Sequence, residues 1–450
     1  MNKNYLFLPA IALFISCSKA PEEQIAPVTE SAEYANARVS GMLSINVLLK
    51  TAATNAILNE LKTYGTIGDV IPEIKALTMK VPGEKLDAIR KLSYVSSANP
   101  DAVRNGSPVD AVSVSDFSNG TSTWNLDAVN VTDFGKGRTI AQDGTGVFIG
   151  VLDTGLLDSW RQYFPQERIA TQYARSFGGG GASGNGNVSE QPNKWEHDQN
   201  SHGTHVTSTI IGFKLGTTYF NGVAPKATII PVKVLNQNGS GQSSVVAQGI
   251  VYMGTLKAGV LKNSPVIINM SLGGGGLDAM EKAAIDFAIG KGVIIVASAG
   301  NSGTAGMGYP GAYKPVISVA SAGLKAEFSV PVWWYALDVP EPTKVSDFYI
   351  ADYSSREKAG QDLDVTAPGS NIVGPYQTNS GQLSYYYLSG TSMASPHVAG
   401  IAALMAQNNK TLTAAQAEAA LENAAIPMAT EAEAGSGFIT ATAALGTPIQ

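Results

Sequence analysis

Two histidines, His202 and His205, stand three positions apart in the stretch NSHGTHVTS, in a chain that has only four histidines. Imidazoles at this spacing fit two kinds of chemistry: ligation of a metal ion, or proton transfer by one histidine beside a packed neighbour. A zinc site needs a third ligand and, in many hydrolases, a glutamate general base in an H-E-x-x-H pattern. The stretch supplies neither, so it favours a histidine that moves a proton.

Other reactive side chains follow apolar runs that are typical of buried strands. Asp153 ends the run VFIGVLD, and Asn301 ends GVIIVASAGN. Ser392 stands in GTSMASPHVAG, where a run of small residues begins a buried helix. A serine at such a position presents its hydroxyl at the helix N-terminus, which favours negative charge nearby. These three residues and His202 are therefore the candidates for a hydrolytic site.

The runs that carry these residues predict an α/β fold. Five of them are almost continuously apolar, and helical stretches lie between several of them: VFIGVLDTG, ATIIPVKVL, SPVIINMSLGG, GVIIVASAGN and PVISVAS. Such strands are buried on both faces, which predicts a parallel sheet covered by helices on both sides. Active sites of these sheets lie at the carboxyl ends of the strands, where the candidate side chains fall.

Three motifs, VLDTG, SHGTHV and GTSMASPHVAG, resemble in that order the active-site motifs of the subtilisin-like serine proteases, or subtilases. The segments VLNQNGSGQ, INMSLGG, ASAGN, YPGAY and DVTAPGSNI also resemble family segments in their expected places. The resemblance implies that Ser392 is the nucleophile, His202 its general base and Asp153 the carboxylate that orients His202. It further implies that Asn301 donates to the oxyanion, and that His205 only packs beside the site.

The same resemblance implies that an extended peptide substrate pairs with two backbone edges of the cleft. The implied edges are Gly239, Ser240 and Gly241, and Ser271, Leu272 and Gly273. No cofactor and no metal ligand are predicted. Calcium stays open, because the tight calcium site of many relatives needs an aspartate where this chain has Gln162, and the loop GFKLGTTYFNG lacks the usual asparagine.

Composition limits the other functional classes. The chain has 450 residues, of which 44% are hydrophobic and 15% are charged, so a large core is expected. Its formal net charge of −6 and the lack of clustered Lys and Arg argue against nucleic acid as a partner. The resemblance to subtilases implies polypeptides as the substrates. The single cysteine, Cys17, excludes an intrachain disulfide and a zinc site built on cysteines.

Residues 1–16 have the pattern of a signal peptide. Lys3 precedes an apolar run from Leu6 to Ile15, which is too short to span a membrane. Ser16 and Cys17 follow, and the whole segment resembles a bacterial lipoprotein signal, which implies acylation of Cys17 and export to the bacterial cell envelope. The alternative is an ordinary signal peptide with an incidental cysteine. Residues 17–40 are polar with scattered prolines and predict a tether.

Three further regions are predicted downstream. Residues 41–101 read as β-α-β-β-α-β, a small ferredoxin-like α+β domain that resembles the propeptide of the family. Residues 102–122 lack periodicity and predict an accessible linker with an autoprocessing site. The resemblance to subtilases implies that 123–450 form the catalytic domain. A cut in this linker would separate Cys17 from the mature enzyme. Either the propeptide remains bound, or the protease is released, or the cut does not occur.

Three alternatives accompany this interpretation. The aromatic segment 326–350 looks like an insertion, either a hairpin packed on the core or a lip of the cleft. An esterase of the α/β-hydrolase class needs a G-x-S-x-G elbow and a histidine well downstream of the serine. GTSMA lacks the elbow, and His397 follows Ser392 by only five residues, so this class is excluded. A non-catalytic binding lipoprotein on a subtilase scaffold remains the alternative function.

Overall fold

The computed structural model describes residues 41–114, 123–133, 137–178, 194–328, 338–376 and 384–448. Several predicted features lie outside these ranges: the signal segment 1–16, Cys17 and the tether 17–40. The same holds for 115–122 of the predicted linker and 329–337 of the predicted insertion.

The N-terminal unit consists of four strands and two helices. Its elements are β1 (Met42–Leu49), α1 (Asn55–Leu61), β2 (Thr66–Ile71), β3 (Ala76–Pro82), α2 (Leu86–Arg90) and β4 (Val95–Pro100). The strands pair antiparallel in the order β2-β3-β1-β4, which is the ferredoxin-like arrangement. Ile45, Met79 and Leu61 pack in a core shared by the sheet and both helices. The elements therefore follow the order predicted for residues 41–101.

The remaining strands include short edge pairs and the long strands of a central sheet. They are β5 (Val103–Asn105), β6 (Asp110–Val114), β7 (Thr132–Asp133), β8 (Gly137–Arg138), β9 (Phe148–Asp153), β10 (Arg175–Ser176), β11 (Phe213–Leu215), β12 (Thr218–Phe220), β13 (Thr228–Lys233), β14 (Ser240–Gln242), β15 (Val266–Met270), β16 (Val293–Ser298), β17 (Ile317–Leu324), β18 (Phe348–Ile350), β19 (Val365–Pro368), β20 (Ile372–Pro375) and β21 (Tyr385–Ser389).

The remaining helices are of very different lengths. They are α3 (Trp124–Ala128), α4 (His202–Ile211), α5 (Ser243–Ala258), α6 (Ala279–Gly290), α7 (Thr391–Asn408), α8 (Ala414–Ala424), α9 (Glu431–Ala434) and α10 (Ala441–Gly446). Across the described ranges, every helix is too short or too polar to cross a membrane.

The central sheet has eight strands in the order β10-β13-β9-β15-β16-β17-β18, with β19 paired to β17 outside this path. All pairs are parallel except β17 with β18. Alternate residues of one strand enter different cores. Ile149 and Val151 of β9 pack on one face and Leu152 on the other, as expected for strands with no polar face. The predicted parallel sheet is confirmed.

Helices cover both faces of this sheet. Helices α4, α7 and α8 contribute to the core that contains Ile149, and α5 and α6 contribute to the core that contains Leu152. Gly249 in α5 shows how closely these layers pack: a Cβ atom there would lie 2.8 Å from Cγ1 of Val234. The doubly covered sheet is therefore the scaffold whose carboxyl ends carry the candidate residues.

The segment between the N-terminal unit and α3 is paired with the rest of the chain. β5 pairs antiparallel with β14, and β6 pairs antiparallel with β21. Residues 103–105 and 110–114 of the predicted linker are therefore strands. Their sequence does not alternate between apolar and polar residues as a half-buried strand does. The strands with which they pair come from distant parts of the chain, so no local pattern predicted them.

The described part of the aromatic segment packs on the core. β18 adds an antiparallel edge to β17, and Phe348 stacks on Phe438 with ring centroids 4.5 Å apart. The ring of Trp124 lies 6.1 Å from that of Phe348. The described part of this segment, 338–350, therefore packs on the core and adds β18 to the sheet. This agrees with the alternative in which the insertion is packed on the core.

The end of α4 provides a test of this fold. Gly212 has φ +81° and ψ −179°, a region open almost only to glycine, and a Cβ atom there would lie 2.1 Å from the carbonyl oxygen of Phe220. We expect Gly212→Ala to lower the free energy of unfolding by about 1–3 kcal/mol or more. Thermal denaturation of the purified variant measures this loss.

Gly216 is the matched control, because its φ is +59° and a Cβ atom there would have nothing within 4 Å. Gly216→Ala should cost only about 1 kcal/mol, from the left-handed backbone alone. Equal losses of Tm for the two variants would contradict the close packing at the end of α4.

Candidate active site

Asp153 and His202 meet where a strand ends and a helix begins. Asp153 is the last residue of β9, and His202 is the first residue of α4. Nδ1 of His202 lies 2.8 Å from Oδ1 and 3.0 Å from Oδ2 of Asp153, and both side chains are fully buried. Nε2 is buried without a hydrogen-bond partner among the described residues. This geometry leaves Nε2 free to accept a proton.

A second polar layer holds this pair in place. Thr154 Oγ1 accepts from the backbone N–H of Gly203 at 2.9 Å and donates to Asp198 at 3.0 Å. Nζ of the buried Lys233 donates to the carbonyl oxygen of Thr154 at 2.5 Å. Burial raises the pKa of Asp198 to about 6, and the ammonium group of Lys233 opposes that rise. The layer thus ties the end of β9 to the first turn of α4.

Sequence analysis did not single out this layer. Asp198 lies only four residues before His202, in HDQNSHGTH, but its contact with Thr154 depends on the turn that precedes α4. Gly203 is also required there. A Cβ atom at Gly203 would lie 2.4 Å from the carbonyl oxygen of Gly155 and 3.2 Å from Oδ1 of Asp153. The second residue of HGTH must therefore be glycine for α4 to approach β9.

Ser392 is held at the N-terminus of α7 by contacts with the end of β15. Its Oγ donates to the carbonyl oxygen of Ser271 at 3.1 Å, and Ser271 Oγ donates to the carbonyl oxygen of Ser392 at 2.7 Å. Asn269 donates to Ser271 Oγ at 3.0 Å and accepts from Ser395 Oγ at 2.7 Å. This network fixes the first turn of α7 against the sheet, with Ser392 at the rim of the cleft.

Asn301 faces the same cleft with its amide nitrogen. Its Oδ1 accepts from the backbone N–H of Thr391 at 2.9 Å and from Thr391 Oγ1 at 2.8 Å. A Cβ atom at Gly390 would lie 3.5 Å from Nδ2 of Asn301. Asn301, Thr391 and Ser392 line one cavity of about 430 Å³, together with Gly273. The structure thus brings Asn301 beside Ser392, as the resemblance implies.

Both predicted backbone edges are paired with the chain's own segment. Asn105 donates to and accepts from Gly273, at 2.9 Å in each direction, and the N–H of Gly106 donates to the carbonyl oxygen of Gly239 at 2.8 Å. Within the β5–β14 pair, Ser240 lies opposite Asn105 and Gly241 lies opposite Arg104. The segment therefore lies between the two edges as an added antiparallel strand.

This segment continues past the reactive side chains. A Cβ atom at Gly106 would lie 3.4 Å from Cε1 of His202, and one at Gly390 would lie 3.7 Å from Cα of Pro108. The N–H of Val109 then donates to the carbonyl oxygen of Ser389 at 2.7 Å. Gly106 thus lies beside His202, and Val109 is hydrogen-bonded to the residue that precedes Gly390. Between them, Ser107 lines the same cavity as Ser392, and Pro108 lies near Gly390.

The other histidines pack or lie in solvent. Nε2 of His205 donates to the carbonyl oxygen of Ile372 at 2.9 Å. Nδ1 of His397 donates to the carbonyl oxygen of Met393 at 2.9 Å, and its Nε2 accepts from Asn125 at 2.8 Å. His197 is exposed, with Nδ1 3.2 Å from Asp158. None of these three contacts the reactive groups described above.

A group of carboxylates could hold a cation. Ligand atoms of Asp362, Asp364 and Glu418 all lie within 4.8 Å of one another. Oδ2 of Asp364 accepts from the backbone N–H of Ser318 at 2.6 Å, whereas Oδ1 is buried without a partner among the described residues. Burial raises the pKa of Asp364 and brings that of Glu418 to about 7. Carboxylate oxygens of this kind fit a hard cation such as calcium.

Burial of two histidines predicts a loss of stability in acid. Burial lowers the pKa of His205 to about 3 and that of His397 to about 4, below the value of about 6.5 in an unfolded chain. The unfolded state therefore binds more protons below about pH 6.5, and Tm falls as the pH decreases through this range. Imidazole NMR resonances of both residues should stay constant between about pH 5.5 and 8, as neutral rings require. Titration of either ring in this range would contradict its burial.

Known proteins resemble this chain over most of its length. The sequence profile of the subtilase family matches residues 144–444. The chain is 35% identical to subtilisin DY of Bacillus licheniformis over 305 residues, which cover 67% of this chain and 91% of that protein. It is 33% identical to subtilisin Savinase of Lederbergia lenta over 304 residues, which cover 67% of this chain and 91% of that protein.

Two solved structures have a similar fold. Fervidolysin from Fervidobacterium pennivorans, a keratinolytic enzyme related to subtilisin, aligns with a TM-score of 0.67 and 24% identity over 91% of this chain and 62% of its own. Sphericase aligns with a TM-score of 0.52 and 29% identity over 70% of this chain and 97% of its own. The family profile, the sequence relatives and the doubly covered parallel sheet agree: this chain belongs to the subtilase family and is a subtilisin-like serine endopeptidase.

Proposed function

We propose that this endopeptidase uses Ser392, His202 and Asp153 as its catalytic triad, in an exported and lipid-anchored precursor that carries its own inhibitory propeptide. The observation that supports the triad best is the buried contact of 2.8 Å between His202 and Asp153. Ser392, at the N-terminus of α7, donates to the carbonyl oxygen of Ser271, and both this oxygen and Cε1 of His202 lie near Gly106. Hydrolysis as proposed needs only side chains of this chain and water. A calcium ion at Asp362 and Asp364 would serve the fold.

The proposed reaction has two halves. Ser392 Oγ forms a bond to the scissile carbonyl carbon while its proton passes to Nε2 of His202. The C–N bond then breaks, and His202 returns this proton to the leaving amine. In the second half, a water oxygen attacks the carbonyl carbon of the acyl-enzyme while its proton passes to His202. The bond to Ser392 Oγ then breaks, His202 returns the proton to this oxygen, and the acid is released. Asp153 holds Nδ1–H in place and stabilises the imidazolium, which gives the buried carboxylate a role in both halves.

Asn301 is proposed as a donor to the oxyanion of the tetrahedral intermediate. Thr391 occupies its Oδ1 with two hydrogen bonds, so the amide cannot rotate without breaking both. This leaves Nδ2 for the oxyanion, together with the backbone N–H of Ser392. A donor that is oriented before the reaction is worth about 10² to 10³ in rate.

Substrate binding is proposed to follow the path of the chain's own segment. Gly239, Ser240 and Gly241 form one edge, and Ser271, Leu272 and Gly273 form the other. Backbone pairing on both sides explains how an extended peptide of varied sequence is held. The fully buried Leu272 supports the second edge from below.

The N-terminal regions are proposed to make the protein an anchored precursor. Residues 1–16 direct export, acylated Cys17 anchors the chain to the bacterial cell envelope, and 17–40 serve as a tether. Residues 41–101 act as the propeptide. Their unit packs on the catalytic domain, with Ile71 and Ile74 in the same core as α5 and α6. The segment that follows occupies the cleft and excludes substrates.

The first test compares the chain 18–450 as wild type and as Ser392→Ala. The wild type should become shorter by roughly 10 kDa through a cut within 102–122, given a mass of 46.8 kDa for 450 residues, and should digest casein. Ser392→Ala should remain whole and inactive, because the nucleophile is absent. Intact-mass spectrometry and a casein assay give both readouts. Two whole and inactive proteins would leave the non-catalytic binding lipoprotein as the function.

Pro108 generates a second prediction on the same segment. The bond proposed to face Ser392 joins Ser107, which lines the same cavity, to Pro108. The nitrogen of Pro108 is tertiary because the ring Cδ takes the place of the amide hydrogen. The ring also restricts the backbone of Ser107, and it lies where His202 must reach the leaving nitrogen. We therefore expect the wild-type cut to fall at another bond of 102–122. Pro108→Ala should be cut between residues 107 and 108.

N-terminal sequencing of the catalytic fragment identifies the bond. Pro100→Ala, at the end of β4 and outside the cleft, is the control for the loss of a proline and should be processed as the wild type is. Pro108→Ala combined with Ser392→Ala should stay whole. A wild-type fragment that begins at Pro108 would show that the proline does not protect this bond.

A further inference from the structure

Arg104 and Glu281 form a salt bridge that is completely buried in the cleft. Nη2 of Arg104 lies 2.6 Å from Oε2 of Glu281, and Nε lies 3.0 Å from Oε1. Both side chains are inaccessible to solvent. The two residues lie 177 positions apart in sequence, one in the bound segment and one in the first turn of α6. The guanidinium group of the segment is therefore bound by the catalytic domain.

Arg104 lies at a defined place along the bound strand. It is opposite Gly241, and its neighbour Asn105 pairs with Gly273. Gly106 follows at the position beside His202, and Ser107 lines the same cavity as Ser392. Arg104 is thus the fourth residue before the bond that joins Ser107 to Pro108. If a substrate peptide pairs with the same two edges, the fourth residue before its scissile bond lies against Glu281.

The surroundings of this position are built for the head group of an arginine. The carbonyl oxygen of Gly276 accepts from Nη2 of Arg104 at 3.3 Å. Gly274 leaves the necessary space, since a Cβ atom there would lie 3.2 Å from Nη1. Asp278 caps α6 and accepts from the N–H groups of Met280 and Glu281 at 2.8 and 3.2 Å. Oδ2 of Asp278 accepts from Asn46, Asn99 and Ser243. The position thus combines the buried carboxylate of Glu281 with a backbone acceptor.

The charge of Glu281 requires a partner whenever a bound peptide covers it. A buried carboxylate without a counter-ion is unfavourable, and the loss of one partner of a buried ion pair is much more costly than the loss of both. Burial raises the pKa of Glu281, and the guanidinium group of Arg104 opposes that rise. A neutral side chain at this position would leave Glu281 unpaired, whereas an arginine restores the pair.

We propose that Glu281 is a specificity-determining residue and that this endopeptidase prefers substrates with arginine four residues before the bond that is cut. The inference rests on the proposed function of the same cleft. Arginine is favoured over lysine because its planar head group binds a carboxylate with two parallel hydrogen bonds, as Arg104 does. In the precursor, Arg104 occupies this subsite and competes with substrates that carry the same residue.

The test uses internally quenched peptides derived from the bound segment. The parent peptide is Val-Arg-Asn-Gly-Ser-Ala-Val-Asp, which follows residues 103–110 with alanine in place of Pro108. Two others replace its arginine with leucine or lysine. The self-processed wild-type protein should cleave the arginine peptide with a kcat/KM about 30-fold or more above that of the leucine peptide. The lysine peptide should fall between them.

Three variants assign the preference to Glu281. Glu281→Gln should lose most of it, while Asp286→Asn, which removes the same charge from α6 outside the cleft, should keep it. Glu281→Gln leaves Arg104 buried without its counter-ion and can fail to fold for that reason. The double variant Arg104→Leu with Glu281→Leu removes both charges and keeps an apolar pair. It should fold and prefer the leucine peptide.

The outcomes separate the inference from the function on which it rests. Cleavage of the arginine and leucine peptides at rates within threefold, with Ser392→Ala inactive, would overturn the subsite and leave the peptidase in place. An arginine preference that persists in the double variant would also overturn it. If none of the peptides is cleaved in a Ser392-dependent manner, the proposed function itself fails. Mass spectrometry of the products confirms that each peptide is cut after its serine.

Discussion

Helix α7 is buried on every side except at its last two residues, and much of the catalytic domain is arranged around it. Every residue from Thr391 to Ala406 is buried. Strands β15, β16, β17 and β19 lie against it, and α4 and α10 pack on it from other directions. A helix of small apolar residues is stable only in such surroundings, because its stability comes from packing and not from an amphipathic pattern. Ser392 at its start is therefore as fixed as the core itself.

The same constraint explains where the other reactive groups lie. Asp153 comes from the carboxyl end of a strand next to β15, and His202 begins the helix that packs on α7. Asn301 follows β16 and bonds to Thr391, the first residue of α7. Each group is thus attached to an element that contacts the same buried helix. Precise positions follow from close packing, which tolerates little displacement.

The cleft depends on two kinds of interaction with different specificity. Backbone pairing on both sides of Asn105 is indifferent to side chains and suits any extended peptide. The pair of Arg104 and Glu281 adds a charge that only some sequences can match. Pro108 adds a covalent feature, a tertiary nitrogen at the bond that follows Ser107. Together these features are those expected of a segment that binds as the proposed substrates do.

Local sequence patterns were sufficient to predict most of the strands and helices. Continuous apolar runs predicted strands such as β9 and β15, and the small apolar residues after Ser392 predicted a buried helix. The order of elements in the N-terminal unit was also readable, because its strands and helices are regular and short. Residues 103–105 and 110–114 were not readable as strands, since the edges they pair with lie more than 100 residues away.

The sequence by itself determined the α/β fold, the family and the identity of the residues that could do the chemistry, because these depend on local hydrophobic patterns and on motifs at short spacing. Only the tertiary structure decided that residues 103–106 of the predicted linker pair with both edges of the cleft, that Ser107 and Ser392 line one cavity, and that Arg104 forms a buried salt bridge with Glu281. The contacts of Asp198 and Lys233 with Thr154 were likewise seen only in the tertiary structure. Such contacts join residues distant along the chain, and their energies depend on burial and direction, which no local pattern encodes.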